Sequence, residues 1–255
     1  MNTRQPLCHL VMTLRFCVFQ HPLRHTQGAL AIRLGSVCAL AWAAVLVLVW
    51  WACAATAAAD FDKLLSTSVA RWGNRMVAQV GSWRNVIRAS SGAAELERLT
   101  RVNNYFNQLM RFGEDADIWG QLDYWATPME SLHRAAGDCE DFAIAKYYTL
   151  LQTGLAPEKL RLTYVRAKLS ALQDPVPHMV LAYYELPTAE PLILDNLVGE
   201  ISPASKRPDL TPVFTFNSAG IFNGSAGTTP LQAGGTSRYS KWEDLMRRAR
   251  AEGFE

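Results

Sequence analysis

"GDCEDFAIAKYY", residues 137–148, sets a cysteine among carboxylates two residues after a glycine. Asp138 is a strong N-cap residue and Asp141 stands three positions on, a capping-box-like arrangement that places a helix start at Cys139. A thiol in that first turn lies at the positive end of the helix dipole, which favours the thiolate. Asp138, Glu140 and Asp141 act in the opposite sense, because like charge raises a thiol pKa. Two readings of these carboxylates stand side by side. Acidic residues in a first turn ordinarily cap the helix and complement its dipole. Equally, all three are hard oxygen ligands of the kind calcium takes, and a bound cation would neutralise them.

The chain carries five cysteines, Cys8, Cys17, Cys38, Cys53 and Cys139, so the acidic turn holds the one that lies far from the N-terminus. Before residue 60 there are Arg4, Arg15, Arg24 and Arg33 but no Asp, Glu or Lys, followed by an apolar run from Leu34 to Ala55 and the stretch "ATAAAD". This is the three-part pattern of a secretory signal with an A-x-A cleavage site after Ala59. The apolar run also reaches the length of about 20 residues that spans a bilayer, so residues 1–59 read as a signal peptide or an N-terminal membrane anchor. In both readings the arginines stay cytoplasmic and residues 60–255 are exported. The bulky tryptophans of "WWACA" make a poor lipobox.

Residues 60–255 suffice for one domain with a proper core. Their single cysteine cannot form a disulfide within its own chain, which is the usual employment of cysteine in small exported domains. Four of the 25 basic residues belong to the leader, leaving 21 against 23 acidic ones. The formal charge of +2 is thus a leader effect, and nothing in the domain suggests nucleic acid.

Leu99, Val102, Phe106, Leu109 and Met110 recur at helical spacing and predict an amphipathic helix over 93–111. The aromatic-rich stretch "EDADIWGQLDYWATPMESLHRAAG", 114–137, contains Gly and Pro and reads as irregular. Its Trp119, Tyr124 and Trp125 suit either a core or an exposed anchor for a partner. The helix opened by Asp138 runs over 139–152 and stops before Gly154. Strands are predicted at 160–167, 178–186 and 191–197, separated by Pro-containing turns and so antiparallel. Residues 217–238 read as a Gly/Ser/Thr-rich loop, and "KWEDLMRRARAE" as a closing helix that buries Trp242, Leu245, Met246 and Ala249.

A thiolate nucleophile needs a base and a group that orients the base. His178 opens the second predicted strand and Asp195 follows the apolar run of the third. A cysteine at a helix start, then a strand histidine, then an aspartate on the neighbouring strand is the chain order of papain-like and transglutaminase-like enzymes. Each residue also has a plain reading: a small buried thiol, a core histidine, a turn aspartate. His133 is the competing base, but no aspartate follows it in that order.

The run "YWATPMESLHRAAGDCEDFAIAKYYTL", with "HMVLAYY" and "LILDNL" downstream, resembles the bacterial transglutaminase-like cysteine proteinases. The resemblance implies an α+β, papain-like or transglutaminase-like fold, with the nucleophile helix packed on an antiparallel sheet. It implies a catalytic triad of Cys139, His178 and Asp195, and calcium near the nucleophile, with Asp138 and Glu140 as ligands and Asp141 as a third. Calcium would then tie the acidic turn to a neighbouring loop through Asp115 or Asp117. The resemblance further implies a periplasmic endopeptidase. Its substrate would be the N-terminal region of a large surface adhesin, cut between two small residues so that a biofilm disperses. Its inhibitory partner would be an inner-membrane receptor for cyclic di-GMP. Two residues depart from the family's pattern: Ala135 where glycine is commoner, and Phe142 for tyrosine. A transglutaminase or acyltransferase using the same triad, and a binding protein with an inert site, are the alternatives.

Overall fold

The computed structural model describes residues 59–169, 174–218, 220–223, 230–231 and 237–254. The signal or anchor read in residues 1–59 therefore lies outside the described residues, apart from Ala59. No helix among the described residues is long and apolar enough to cross a membrane.

Asp60 caps the first helix, α1 (Phe61–Trp72), accepting the Lys63 N–H at 3.0 Å. Helices α2 (Arg75–Ser90) and α3 (Glu95–Leu109) follow, and α3 buries Leu99, Val102 and Phe106 as its spacing predicts. After a two-residue strand β1 (Arg111–Phe112) comes the stretch that reads as irregular, and the structure corrects that reading in part. It holds a single turn α4 (Asp115–Ile118) and a second helix α5 (Pro128–Arg134). The signal for α5 is local: Thr127 and Glu130 form a capping box with Pro128 at the first helical position. Strand β2 (Ala136–Gly137) pairs parallel with β1 and leads straight into α6 (Cys139–Gln152), whose bounds match those predicted. Gly154, with φ of 84°, ends that helix.

The remaining strands are β3 (Leu160–Ala167), β4 (Val176–Tyr183), β5 (Leu192–Leu194), β6 (Ser202–Pro203), β7 (Leu210–Asn217), β8 (Gly220–Asn223) and β9 (Pro230–Leu231). They form one antiparallel sheet in the order β6-β5-β4-β3-β7-β8-β9. The expected loop over 217–238 thus contains β8 and β9; residues 219, 224–229 and 232–236 lie outside the described residues. Helix α7 (Ser237–Glu252) closes the chain and buries Trp242, Leu245 and Ala249, with Met246 partly covered.

Strand alternation divides the sheet's side chains between two apolar clusters. Leu160, Leu162, Met179, Leu181, Leu194 and Phe216 share the main core with α6. Val165, Val180, Ala182, Tyr184 and Ile193 form a smaller cluster. Helix α6 is buried on nearly every side because helices and sheet both pack on it, which explains its continuous apolar run. Trp83 Nε1 ties α2 to it through Thr149 Oγ1 at 2.8 Å. Each large apolar side chain so buried contributes roughly 1.5–3 kcal/mol.

An ionic cluster around the buried Glu130 ties α1, α5 and α7 together. Glu130 accepts from Arg71 at 3.0 Å, Arg248 at 2.7 Å and the Tyr124 hydroxyl at 2.9 Å. Glu252 accepts from the Thr127 hydroxyl at 2.9 Å, and burial, with the Glu130 charge, pushes its carboxyl up to about 7. The folded chain thus holds that proton more tightly than the unfolded chain, so this group's contribution to stability falls as pH rises from the ordinary carboxylate range to about 7. Thermal unfolding of Glu252→Gln, which keeps the neutral form at every pH, should show a flatter decline than wild type over that window.

The acidic turn itself is shaped by two backbone constraints. A Cβ on Gly137 would stand 2.5 Å from Asp141 Cβ and 2.8 Å from Met110 Cε, so no larger residue fits. Ala135 takes a left-handed conformation, φ 48° and ψ 36°, at the end of α5, which accounts for the commoner glycine there. Ala135→Gly should stabilise the fold by about 1 kcal/mol in denaturant unfolding, whereas Gly137→Ala should destabilise it by about 1–3 kcal/mol.

Candidate active site

Helix α6 begins as its residues dictate. The Asp138 side chain accepts the Asp141 N–H at 3.5 Å, and Glu140 and Asp141 fill the first turn. The β1/β2 pair holds the preceding residues in place through Arg111 N–H to Ala135 O at 2.9 Å and Gly113 N–H to Gly137 O at 3.1 Å. Cys139 emerges partly exposed, with its thiol bonded to Glu140 Oε2 at 2.6 Å. Burial, followed by the Glu140 and Asp138 charges, pushes this thiol well above its ordinary range, and a bond from the Met179 N–H acts against them. The sulfur therefore lies against β4 one residue from His178.

His178 Nε2 meets Asp195 Oδ1 at 2.8 Å, with both side chains buried. The β4/β5 register creates this pair: Leu181 faces Leu194, so the residues just beyond the end of β5 return alongside the start of β4. Burial opposes the Asp195 charge, but bonds from His178, the Leu197 N–H and Arg207 outweigh it and hold the carboxyl at about 2. An ionised carboxylate only accepts hydrogen bonds, so Nε2 carries a proton, and in the neutral ring that leaves the lone pair on Nδ1. Sequence reasoning found these residues but missed their supports. Asn107 Nδ2 and Lys146 Nζ both donate to the Asp195 main-chain oxygen, at 2.9 and 3.1 Å. Burial depresses Lys146 to about 7, and the Asp195 charge opposes that shift. Arg207 Nη2 reaches Asp195 Oδ2 at 2.7 Å. Nothing in the spacing of these three residues announces the meeting. The competing base His133 is bonded to Arg75 and stacked on Trp72, and among the described residues no aspartate accepts from its ring.

The acidic residues gather with a partner from the irregular stretch. Oxygens of Asp115, Asp138 and Asp141 lie within 4.8 Å of one another, and Asp138, Glu140 and the Cys139 sulfur form an overlapping group. Asp115 is thus the residue that brings the 115–126 loop to the turn, and Asp117 is not in either group. Asp141 accepts from Trp119 Nε1 at 3.0 Å and from the Ala126 N–H at 2.8 Å. Asp115 Oδ2 accepts the Tyr124 N–H, while its buried Oδ1 has no partner among the described residues. Burial, reinforced by mutual repulsion, pushes Asp115 to about 6 and Asp138 to about 10, and raises Asp141 as well. Hard, crowded carboxylate oxygens with an orphaned acceptor fit a calcium ion. Trp119 and Tyr124, each partly exposed, donate to Asp141 and Glu130, and Trp125 is buried against Phe216, so of the aromatic cluster Trp125 belongs to the core.

The family described as bacterial transglutaminase-like cysteine proteinase BTLCP matches residues 78–209. Among solved structures, Legionella pneumophila LapG is 35% identical, covering 75% of this chain and 98% of its own, with a TM-score of 0.62. A calcium-bound form of the same protein matches at 34% identity over 74% of this chain and 98% of that one, TM-score 0.62. Its EGTA-treated form matches at 34% over 75% and 98%, TM-score 0.64. No curated protein sequence matches. The acidic helix start, the antiparallel sheet and the matched span together show that this chain belongs to the bacterial transglutaminase-like cysteine proteinases.

Proposed function

We propose that the protein is a calcium-dependent cysteine endopeptidase of the periplasm that cleaves the N-terminal region of a large surface adhesin, releasing it and promoting biofilm dispersal. The single observation that carries the catalytic part is the buried His178–Asp195 bond at 2.8 Å beside the strand residue whose N–H reaches the Cys139 sulfur. The substrate, the location and an inhibitory inner-membrane cyclic di-GMP receptor follow from the family resemblance, and the signal- or anchor-like pattern of residues 1–59 agrees with them.

In this reading Cys139 gives up its proton to His178 Nδ1, and the thiolate attacks the scissile carbonyl to form a tetrahedral adduct. The Cys139 N–H at the helix start meets the oxyanion. His178 returns the proton to the leaving amine, and water then releases the acyl group from sulfur by the same route in reverse. Asp195 holds the ring through Nε2, leaving Nδ1 to take and return the proton, and stabilises the imidazolium formed in between.

Asp115, Asp138, Glu140 and Asp141 would hold calcium, and the orphaned Asp115 Oδ1 and the calcium-bound relative support that assignment. When bound, the ion supplies positive charge against the carboxylates that raise the Cys139 thiol and binds the 115–126 loop to the α6 turn.

Incubation of the protein with the N-terminal region of a large adhesin should yield one cut that is lost in Cys139→Ala and in EGTA. Cleavage that survives Cys139→Ala sinks the nucleophile assignment, and incorporation of an added amine without hydrolysis points to transglutaminase chemistry instead. Calcium binding has its own readout: at 100 times its dissociation constant, calcium should stabilise the fold by about 2.7 kcal/mol. Asp115→Asn should remove most of that gain in thermal unfolding.

A further inference from the structure

Asp195 is 1% exposed, so its carboxylate survives as an anion only if the surrounding groups meet its charge. Oδ1 accepts from His178 Nε2 and the Leu197 N–H, while Oδ2 accepts from Arg207 Nη2 at 2.7 Å. Arg207 is itself 5% exposed, and Asp209 takes its Nε at 3.0 Å and its Nη2 at 2.7 Å. A connected line thus runs from the partly exposed Asp209 through Arg207 and Asp195 to the histidine ring.

We propose that Arg207 is a positioning residue for the triad, holding Asp195 Oδ2 so that Oδ1 stays aimed at His178. The inference rests on the triad reading above. The last torsion of an aspartate is broad, so the carboxylate plane turns easily unless both oxygens are engaged. Asn107 and Lys146 donate to the Asp195 main-chain oxygen and fix the backbone; His178 and the Leu197 N–H engage Oδ1, and among the described residues Arg207 alone engages Oδ2. Charge gives a second reason. Without the guanidinium, a buried Asp195 would tend to take up a proton, and a protonated carboxyl can donate to Nε2. The ring proton would then move to Nδ1, and the base facing the thiol would be gone.

The test uses the full chain with excess calcium and follows alkylation of Cys139 by iodoacetamide, read by peptide-mapping mass spectrometry to separate it from the leader cysteines. Arg207→Met should slow alkylation on the order of tenfold, as loss of an outer partner does for ligand histidines. Asp195→Asn should slow it as well, and adding Arg207→Met to Asp195→Asn should slow it no further, because Arg207 acts through Asp195. Arg207→Lys, which keeps the charge without the fork, should recover part of the rate. If Arg207→Met fails to fold, Asp209→Asn loosens the fork alone and should still slow alkylation. A wild-type rate in folded Arg207→Met or Asp209→Asn, or an equal further loss in the Asp195→Asn background, overturns the proposal. Unchanged alkylation in both His178→Ala and Asp195→Asn would instead remove the triad reading on which it stands.

Discussion

A carboxylate buried in a protein must have its charge met, and this fold applies that constraint twice with opposite outcomes. At Asp195 the chain supplies the compensation itself: Arg207, His178 and the Leu197 N–H surround the group and hold it ionised. At Asp115, Asp138 and Asp141 the described residues supply amide and indole donors but no bonded cation, and all three are pushed toward the neutral form. One site is complete within the chain, and the other has the electrostatics of a site built for a cation. The Cys139 thiol touches the acidic group through Glu140 and lies against β4 beside His178.

The packing of α6 makes this geometry rigid. The helix is buried between sheet and helices, and Asp141 in its first turn lies so close to Gly137 that a Cβ there would meet it at 2.5 Å. The loop that carries Asp115 is fastened to the same turn by Trp119 and Ala126. Repulsion among the carboxylates is therefore retained in the folded state instead of being relieved by side-chain movement.

Local chemistry made much of the architecture readable. The Asp138 cap and Gly154 delimit α6 because capping and left-handed backbone are single-residue effects. Alternation and β-branched content located β3, although β4 begins at Val176 rather than His178 and β5 shrinks to Leu192–Leu194. Helix α5 went unread because the Gly and Pro of its stretch outweighed the Thr127–Glu130 box, a signal that was present. Strands β8 and β9 lie in a Gly-, Ser- and Thr-rich segment where composition favours a loop and only pairing with β7 makes strand.

By itself the sequence determined where α6 starts, that Cys139 is the one thiol of residues 60–255, and that His178 and Asp195 follow it in the chain order of transglutaminase-like enzymes. Those are properties of short segments and of chain order. Tertiary structure alone decided which groups complete each charge. Asp115 rather than Asp117 joins the acidic turn, and Arg207, Lys146 and Asn107 converge on Asp195. These partners come from segments far apart in the chain, and a buried charge selects its partner by distance in space, which no local pattern records.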